Sequence, residues 1–331
     1  MAVNETLEIV CCTDSNYVMP TGVMLASLFE NNRDEDIRVH LLHNGISDSQ
    51  AAGIKAVAAA YGRSVCFYLM DDSRMAHFPI GKDYQNSHVG LSLVTYYRLL
   101  LPHVLPESIE KVIYLDADMI IKGSLRKLWA VDMEEKAVAA VPDSFTSVPG
   151  HYNRLRYPQT LGYFNAGLLV INLKYWRGHD AEQKFADYIM KYPERLAYHD
   201  QDVLNFVFKD EKIELPLKYN MLNEYWFDTR YSVVSWEFEE QIKAGQRSPV
   251  VVHFTAIPKP WYTNCRHPYK PEFERYKAMT PWRGYREKRW KPLKYVMERA
   301  MIKAVVALGL RKRDYIVENR YIKRNEDIIV G

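Results

Sequence analysis

The segment KVIYLDADMII occupies residues 111–121 and joins an apolar run to the triplet Asp116-Ala117-Asp118. A short, continuous apolar run of this kind is typical of a strand buried inside a sheet. Alternate residues of an extended chain point to the same side, so both carboxylates can face one cation. The segment therefore predicts a buried strand that delivers a metal-binding pair at its carboxyl end.

Three further apolar runs precede this segment: LEIVCC at 7–12, IRVHLL at 37–42 and SVCFYLM at 64–70. Helical spacing at 20–31 and 47–61 separates them, and Ser47 is a suitable N-cap for the second helix. This alternation predicts a doubly wound α/β domain, with a Rossmann-like, mostly parallel sheet and helices on both faces.

The second half of the chain is less regular. We predict a long loop over 142–162, a strand over 166–173, helices over 181–191 and 200–208, and a last buried strand over 249–254. Loops of this length in compact domains usually serve a function.

Composition excludes several classes of protein. With 331 residues, 48% hydrophobic and 26% charged, the chain can bury a sizeable core and is neither disordered nor fibrous. No apolar stretch reaches the roughly 18 residues needed to span a bilayer, and the start lacks the basic region of a secretory signal. The cysteines match neither a disulfide framework nor a zinc site, so we expect reduced thiols in a cytoplasmic protein.

Charge is distributed unevenly. Residues 283–331 carry 14 Lys plus Arg against 6 Asp plus Glu, whereas residues 1–282 carry 30 against 35. We predict a catalytic domain over 1–275 and a basic, amphipathic helical tail over 276–331 that binds an anionic membrane surface, at the inner membrane face. The alternative is a tail helix packed on the body with a solvated basic face. Nucleic acid is not an expected partner, because the body is acidic.

Two other strand ends carry groups suited to a metal and a nucleotide. His253 follows the apolar run 250–252, and the first strand leads into Asp14, Asn16 and Tyr17, which suit a ribose and a uracil. Two carboxylates and an imidazole match an octahedral divalent site and favour Mn²⁺ over Mg²⁺. The alternatives are solvated turn carboxylates and a core histidine.

Six motifs, in order along the chain, resemble those of glycosyltransferase family 8, which includes bacterial lipopolysaccharide galactosyl- and glucosyltransferases and, more distantly, glycogenin. They are IVCCTDSNYV at 9–18, TYYRLLLP at 95–102, YLDADMII at 114–121, FNAGLLVINL at 164–173, HDQDVLN at 199–205 and HFTAIPKPW at 253–261. The resemblance implies a GT-A fold and a Mn²⁺-dependent enzyme, with Mg²⁺ as the alternative metal. It also implies transfer of a hexose from UDP-glucose or UDP-galactose to a saccharide or lipid-linked oligosaccharide acceptor, with retention of configuration.

The resemblance also implies roles for individual positions. The metal and diphosphate positions that it implies are Asp116, Ala117, Asp118, His253 and Lys259. The uridine pocket that it implies is lined by Cys12, Asp14, Asn16 and Tyr17. The catalytic and sugar-binding positions that it implies are Arg98, Asn165, Asp200, Gln201 and Asp202, with Asp143 toward the acceptor.

Retention of the anomeric configuration requires one of two routes. Either a covalent sugar–enzyme intermediate forms, or the acceptor attacks the sugar on the same face from which the diphosphate leaves. Gln201 offers an amide, which is a poor nucleophile, so we expect a short-lived oxocarbenium-like species and proton transfer to a diphosphate oxygen. A nucleotidyltransferase is an alternative, but it would show a Gly-rich loop near the first strand, where only Gly22 occurs. A non-catalytic nucleotide-sugar-binding protein is another, and it would not need the acidic triplet and the HDQD segment.

We predict that removing the tail from Trp282 onward leaves turnover of a soluble acceptor nearly intact but abolishes sedimentation with anionic vesicles. Polybasic segments gain about 1 kcal/mol per Lys or Arg near an anionic leaflet, and salt screens that attraction. Vesicle sedimentation at low and high salt is the measurement. Equal vesicle binding by both forms would favour a tail that is part of the body.

Overall fold

The computed structural model describes residues 5–75, 78, 93–226, 236–291, 297 and 301. Within these ranges the strands are β1 (Leu7–Thr13), β2 (Ile37–His43), β3 (Ser64–Leu69), β4 (Lys111–Leu115), β5 (Met119–Ile121), β6 (Val138–Pro142), β7 (Phe164–Asn172), β8 (Lys212–Glu214) and β9 (Val251–His253).

The central sheet has seven strands in the order β3-β2-β1-β4-β7-β6-β8. The pairs β2–β3, β1–β2, β1–β4 and β6–β8 are parallel, whereas β7 runs antiparallel to both of its neighbours. The predicted α/β fold is therefore confirmed, with a sheet that is mixed and mostly parallel. The carboxyl ends of β1 and β4 lie side by side, which brings the first strand's polar turn next to the acidic triplet.

The helices are α1 (Val18–Glu30), α2 (Asp48–Ala59), α3 (Leu101–Val104), α4 (Arg126–Trp129), α5 (Pro149–Leu155), α6 (Leu173–Gly178), α7 (Ala181–Lys191), α8 (Asp200–Val207), α9 (Glu239–Arg247) and α10 (Lys270–Ala278). The helices cover both faces of the sheet, and alternate residues of β1 point into two different hydrophobic cores. Ile9 and Cys11 belong to the core that contains α1 and α2, whereas Val10 and Cys12 belong to the core that contains α7 and α8.

Two predicted elements differ from the structure. The loop predicted over 142–162 contains α5 and a 3₁₀ helix at Gln159–Leu161, which are too short to produce a recognisable helical period. The strand predicted over 249–254 is β9, and it pairs antiparallel with β5 in a separate two-stranded sheet. By contrast, the predicted cap of α2 is confirmed, since the Ser47 and Gln50 side chains each bind the other's backbone N–H.

The chain beyond α10 packs against the body. Helix α10 crosses the predicted domain boundary between residues 275 and 276. The Trp282 ring then lies against glycines of two helices: a Cβ added at Gly22 would be 2.2 Å from ring atom Cζ3, and one added at Gly53 would be 2.8 Å from Cζ2. The part of the tail that follows Lys291 lies outside the described residues, apart from two exposed helical methionines, Met297 and Met301.

A vesicle-binding test should accordingly remove residues 292–331 rather than cut at Trp282, because the earlier cut would also strip packing from α1 and α2. Among the described residues, no helix has the length and hydropathy needed to cross a membrane.

We predict that Gly53→Ala destabilises the protein by about 1 to 3 kcal/mol, because the added methyl overpacks against Trp282. In a Trp282→Ala background the same change should stabilise by about 0.5 to 1 kcal/mol, since alanine in mid-helix is then unopposed. Urea unfolding of the four proteins in this double-mutant cycle measures the reversal of sign. If Gly53→Ala were stabilising in both backgrounds, the ring would not fill this contact in solution.

Candidate active site

Three strand ends bring together the residues predicted to bind a metal. Asp116 follows β4, Asp118 immediately precedes β5, and His253 ends β9, opposite Met119 in the two-stranded sheet. One ligand atom from each of the three residues lies within 4.8 Å of the others. His253 Nε2 is 3.1 Å from Asp118 Oδ1 and 3.8 Å from Asp116 Oδ2. The pairing of β5 with β9 therefore assembles the predicted ligand set.

Gly167 on β7 forms the floor of this cluster. A Cβ at position 167 would lie 2.3 Å from His253 Cε1 and 2.8 Å from Asp116 Oδ2, and real Cβ atoms do not come so close to other heavy atoms. The space beside the imidazole and the carboxylates thus exists because this residue has no side chain. Two carboxylates and one imidazole nitrogen fit a divalent cation such as Mn²⁺.

Arg98 joins the cluster to α8. It lies in the 3₁₀ helix Leu93–Leu100, is buried, and its guanidinium is 2.9 Å from Asp116 Oδ1 and 3.0 Å from Asp200 Oδ2. The centroid of the Tyr114 ring lies 4.2 Å from the guanidinium carbon, and the Tyr114 hydroxyl donates to Asp116 Oδ1 at 3.0 Å. Burial lowers the pKa of Arg98, but the two carboxylates outweigh it and hold the pKa above its usual value. Arg98 is therefore a buried ion-pair partner and not a solvated surface residue.

Lys259 supplies a second positive charge on the opposite side of the cluster. Its Nζ lies 2.6 Å from Asp118 Oδ2 and also donates to the carbonyl of Thr255. Burial raises the pKa of Asp118, but the charge of Lys259 and the contact with His253 outweigh it and hold that pKa far below the usual range. Asp118 is therefore ionised, as a metal ligand must be.

Gln201, Asn165 and Asp143 form a second cluster beside the first. Gln201 Nε2 donates to Asp143 Oδ2 at 3.2 Å and to the Tyr163 hydroxyl at 3.1 Å, and its Oε1 accepts from the backbone N–H of Ala166 at 3.0 Å. Asn165 Nδ2 donates to the same oxygen of Asp143 at 2.9 Å. The structure thus brings the predicted sugar and acceptor residues together.

The two aspartates of the HDQD segment differ in their surroundings. Asp200 faces Arg98 and accepts from Thr95, and burial raises its pKa despite the guanidinium. Asp202 is fully buried and binds Arg154 at 2.6 Å, so it does not join the metal cluster. Residues two apart on a helix lie about 200° apart around its axis, and this separates the two carboxylates.

The predicted uridine residues form one turn at the carboxyl end of β1. Asp14 Oδ1 accepts from the backbone N–H of Asn16 at 2.8 Å and of Tyr17 at 3.1 Å, which shapes the turn into α1. The Tyr17 ring packs edge-to-face on Trp261, with centroids 5.5 Å apart. Cys12 is buried near the end of β1, and burial raises the pKa of its thiol to about 12, so the thiol is uncharged.

Comparison with known proteins agrees with this geometry. Residues 8–265 match the family described as Glycosyl transferase family 8. The chain belongs to glycosyltransferase family 8. General stress protein A of Bacillus subtilis (strain 168) is 28% identical to it over 289 residues, covering 85% of this chain and 96% of that protein. A lipopolysaccharide 1,2-glucosyltransferase of Escherichia coli is 28% identical over 288 residues, covering 85% of this chain and 80% of the relative.

Among solved structures, this glycosyltransferase is similar to the galactosyltransferase LgtC in complex with donor and acceptor sugar analogs. The TM-score is 0.72 at 27% identity, and the match covers 84% of this chain and 99% of LgtC. The fold is therefore GT-A, as the sequence motifs imply.

Several residues of the glycosyltransferase's site were not predicted. They are Thr95, Tyr114, Tyr163, Gly167 and Asn220. Gly167 carried a recognisable signal, because a glycine inside an apolar strand often marks a close approach of the backbone. The others are polar residues in buried stretches, and only the tertiary structure reveals their partners.

We predict that Gly167→Ala in this glycosyltransferase weakens Mn²⁺ binding at least about tenfold, because the methyl must displace the imidazole or the carboxylate. Gly178→Ala is the matched control, since a Cβ there meets nothing within 4 Å. Calorimetric titration with Mn²⁺ distinguishes the two variants. Equal Mn²⁺ affinity in both would mean that the cation does not occupy this cluster.

Proposed function

We propose that this glycosyltransferase transfers glucose or galactose from a UDP-sugar to a saccharide acceptor, with retention of anomeric configuration. The observation that carries the proposal is the adjacency of the two clusters. The acidic cluster with His253 and Lys259 suits a diphosphate and its metal, and the cluster around Gln201 suits a sugar. The activities of two similar proteins, a glucosyltransferase and a galactosyltransferase, support a hexose as the transferred group.

The metal cluster would activate the leaving group. Mn²⁺ bound by Asp116, Asp118 and His253 would supply positive charge to neutralise the departing diphosphate. Lys259 adds a fixed charge at the same place, because its ammonium already lies against Asp118. Arg98 holds Asp116 from the other side and keeps that carboxylate pointing at the imidazole. These residues would thus bind the diphosphate and orient it for departure.

The sugar cluster favours a route without a covalent intermediate. A nucleophilic carboxylate would need a free oxygen beneath the anomeric carbon, but Asp200 is held by Arg98 and Asp202 by Arg154. Gln201 offers only an amide, so it would position the sugar and stabilise positive charge on it. The acceptor hydroxyl would pass its proton to a diphosphate oxygen. Asp143, which both amides bind, lies toward the acceptor side in this proposal.

We further propose that the acceptor is a cell-surface glycan of the lipopolysaccharide type and that the enzyme works at the cytoplasmic face of the membrane. The lipopolysaccharide glucosyltransferase among its relatives supports this assignment. The basic tail, with 14 Lys plus Arg over residues 283–331, suits attraction to an anionic leaflet.

We predict that the protein with Mn²⁺ slowly hydrolyses UDP-glucose or UDP-galactose to free UDP and releases the sugar as its α-anomer. Asp118→Asn should lower this turnover by a factor of about 100 or more, because the side-chain volume is kept while an anionic ligand is lost. UDP release measured with a panel of UDP-sugars, and proton NMR of the released sugar, test both statements.

Asp187→Asn is a suitable control for charge removal, since Asp187 is exposed on α7 and accepts a side-chain hydrogen bond from Gln183 on the same helix. Release of the β-anomer would contradict retention. Unchanged turnover in Asp118→Asn across a Mn²⁺ titration would contradict the metal assignment.

A further inference from the structure

A chain of buried side-chain amides connects the sugar cluster to the metal cluster. Asn165 Nδ2 donates to Gln201 Oε1 at 3.3 Å. Asn220 Nδ2 donates to Asn165 Oδ1 at 2.8 Å, and Asn220 Oδ1 lies 3.0 Å from His253 Nδ1. Asn220 is fully buried, and Asn165 and His253 are nearly so. Leaving a polar group unsatisfied at such a buried position is destabilising, so the chain of amides has little freedom to rearrange.

The direction of this chain is fixed by the backbone of β7. The N–H of Gly167 donates to Asn165 Oδ1 at 3.0 Å, and a backbone N–H can only donate. The oxygen of the Asn165 amide must therefore face this point, which requires the Asn220 group beside it to be the NH₂. The preceding residue, Ala166, fixes the Gln201 amide in the same way through its own N–H.

The direction determines which nitrogen of His253 carries a proton. Since the NH₂ of Asn220 is turned toward Asn165, its carbonyl oxygen faces His253 Nδ1. A carbonyl oxygen only accepts, so Nδ1 must donate. Nε2 faces Asp116 and Asp118 and lies 3.1 Å from Asp118 Oδ1 without metal, so it is the nitrogen whose lone pair a cation can take when it replaces that contact.

We propose that Asn220 is a positioning residue for the metal site: it holds His253 with Nδ1 protonated, and thereby presents the Nε2 lone pair to a divalent cation. The metal-binding consequence rests on the proposed function, whereas the position of the proton is a property of the protein without metal. In this arrangement Gly167 acts twice, once by its missing side chain beside His253 and once by its N–H on Asn165.

The first test is the protonation of His253 in the metal-free wild-type protein. Long-range ¹H–¹⁵N NMR distinguishes a protonated ring nitrogen from one with a lone pair, and the spectrum of His253→Ala identifies this signal among the 10 histidines. We expect Nδ1 to be protonated at every pH at which the ring is observed. A neutral ring with its proton on Nε2 would overturn the proposal, whatever the protein's enzymatic activity.

The second test compares two substitutions of Asn220 by calorimetric titration with Mn²⁺. Asn220→Leu keeps similar volume but offers no acceptor to Nδ1, so we expect Mn²⁺ affinity to fall by about 10- to 100-fold. Asn220→Asp keeps an acceptor and should retain affinity within about tenfold of the wild type, since a carboxylate can hold the imidazole in the same way.

The matched control is Asn32→Leu, which removes another buried asparagine, one whose side-chain hydrogen bonds reach Leu28, Gly123 and Leu125, away from the metal cluster. It should lower stability without changing Mn²⁺ affinity. Equal affinity in Asn220→Leu and the control would overturn the proposal. If Asn220→Leu fails to fold, as judged by circular dichroism, the NMR result and Asn220→Asp still decide. A wild-type protein that binds no Mn²⁺ would contradict the proposed function but not the position of the proton.

Discussion

Asp116 and Asp118 leave the end of β4 two residues apart, and both of their carboxylates approach the same imidazole nitrogen. Like charges so close repel each other unless positive groups surround them. The fold supplies those groups from separate parts of the chain: Arg98 from a 3₁₀ helix and Lys259 from the segment after β9. The need to balance this acidic pair accounts for much of the tertiary arrangement around the site.

The need to balance the acidic pair also explains two local features near the site, the separate β5–β9 sheet and the glycine on β7. A second, two-stranded sheet is required because His253 must approach Asp118 from outside the main sheet, and the β5–β9 pairing places it there. A glycine is required on β7 because the imidazole lies directly over that strand. The two-stranded sheet also contributes fully buried side chains to the hydrophobic cores, among them Ile120, Ile121 and Val251. Both the β5–β9 sheet and Gly167 give the charged side chains of the site the space that they occupy.

The sequence predicted the parts of the molecule that depend on local pattern. The apolar runs gave the positions of β1 to β4, and the Ser47 cap gave the start of α2, because strand burial and helix capping are encoded within a few residues. The predicted metal ligands do lie together. The antiparallel direction of β7 and the pairing of β9 with β5 depend on contacts between distant segments, and no local pattern encodes them.

Polar networks were the least predictable part of the site. Asp202 lies beside Gln201 in sequence, yet it is bound to Arg154 and lies away from the metal ligands. Asn220 follows a 3₁₀ turn and carries no motif, but it contacts both Asn165 and His253. The partner of a buried amide is decided by which backbone N–H groups are already used by the sheet, and this is known only when the strands are paired.

The packing of the Trp282 ring against Gly22 and Gly53 has a mechanical consequence. Helix α1 begins directly after the turn shaped by Asp14, so one of the two helices that the Trp282 ring contacts also carries this turn. A pull on the chain beyond Lys291 therefore first loads the hydrogen bonds between Trp290 and Asn264 and the ion pair between Glu287 and Lys270 on α10, and it reaches α1 and α2 through the indole behind them. The carboxyl-terminal end of the described body and the turn shaped by Asp14 are thus mechanically coupled through α1.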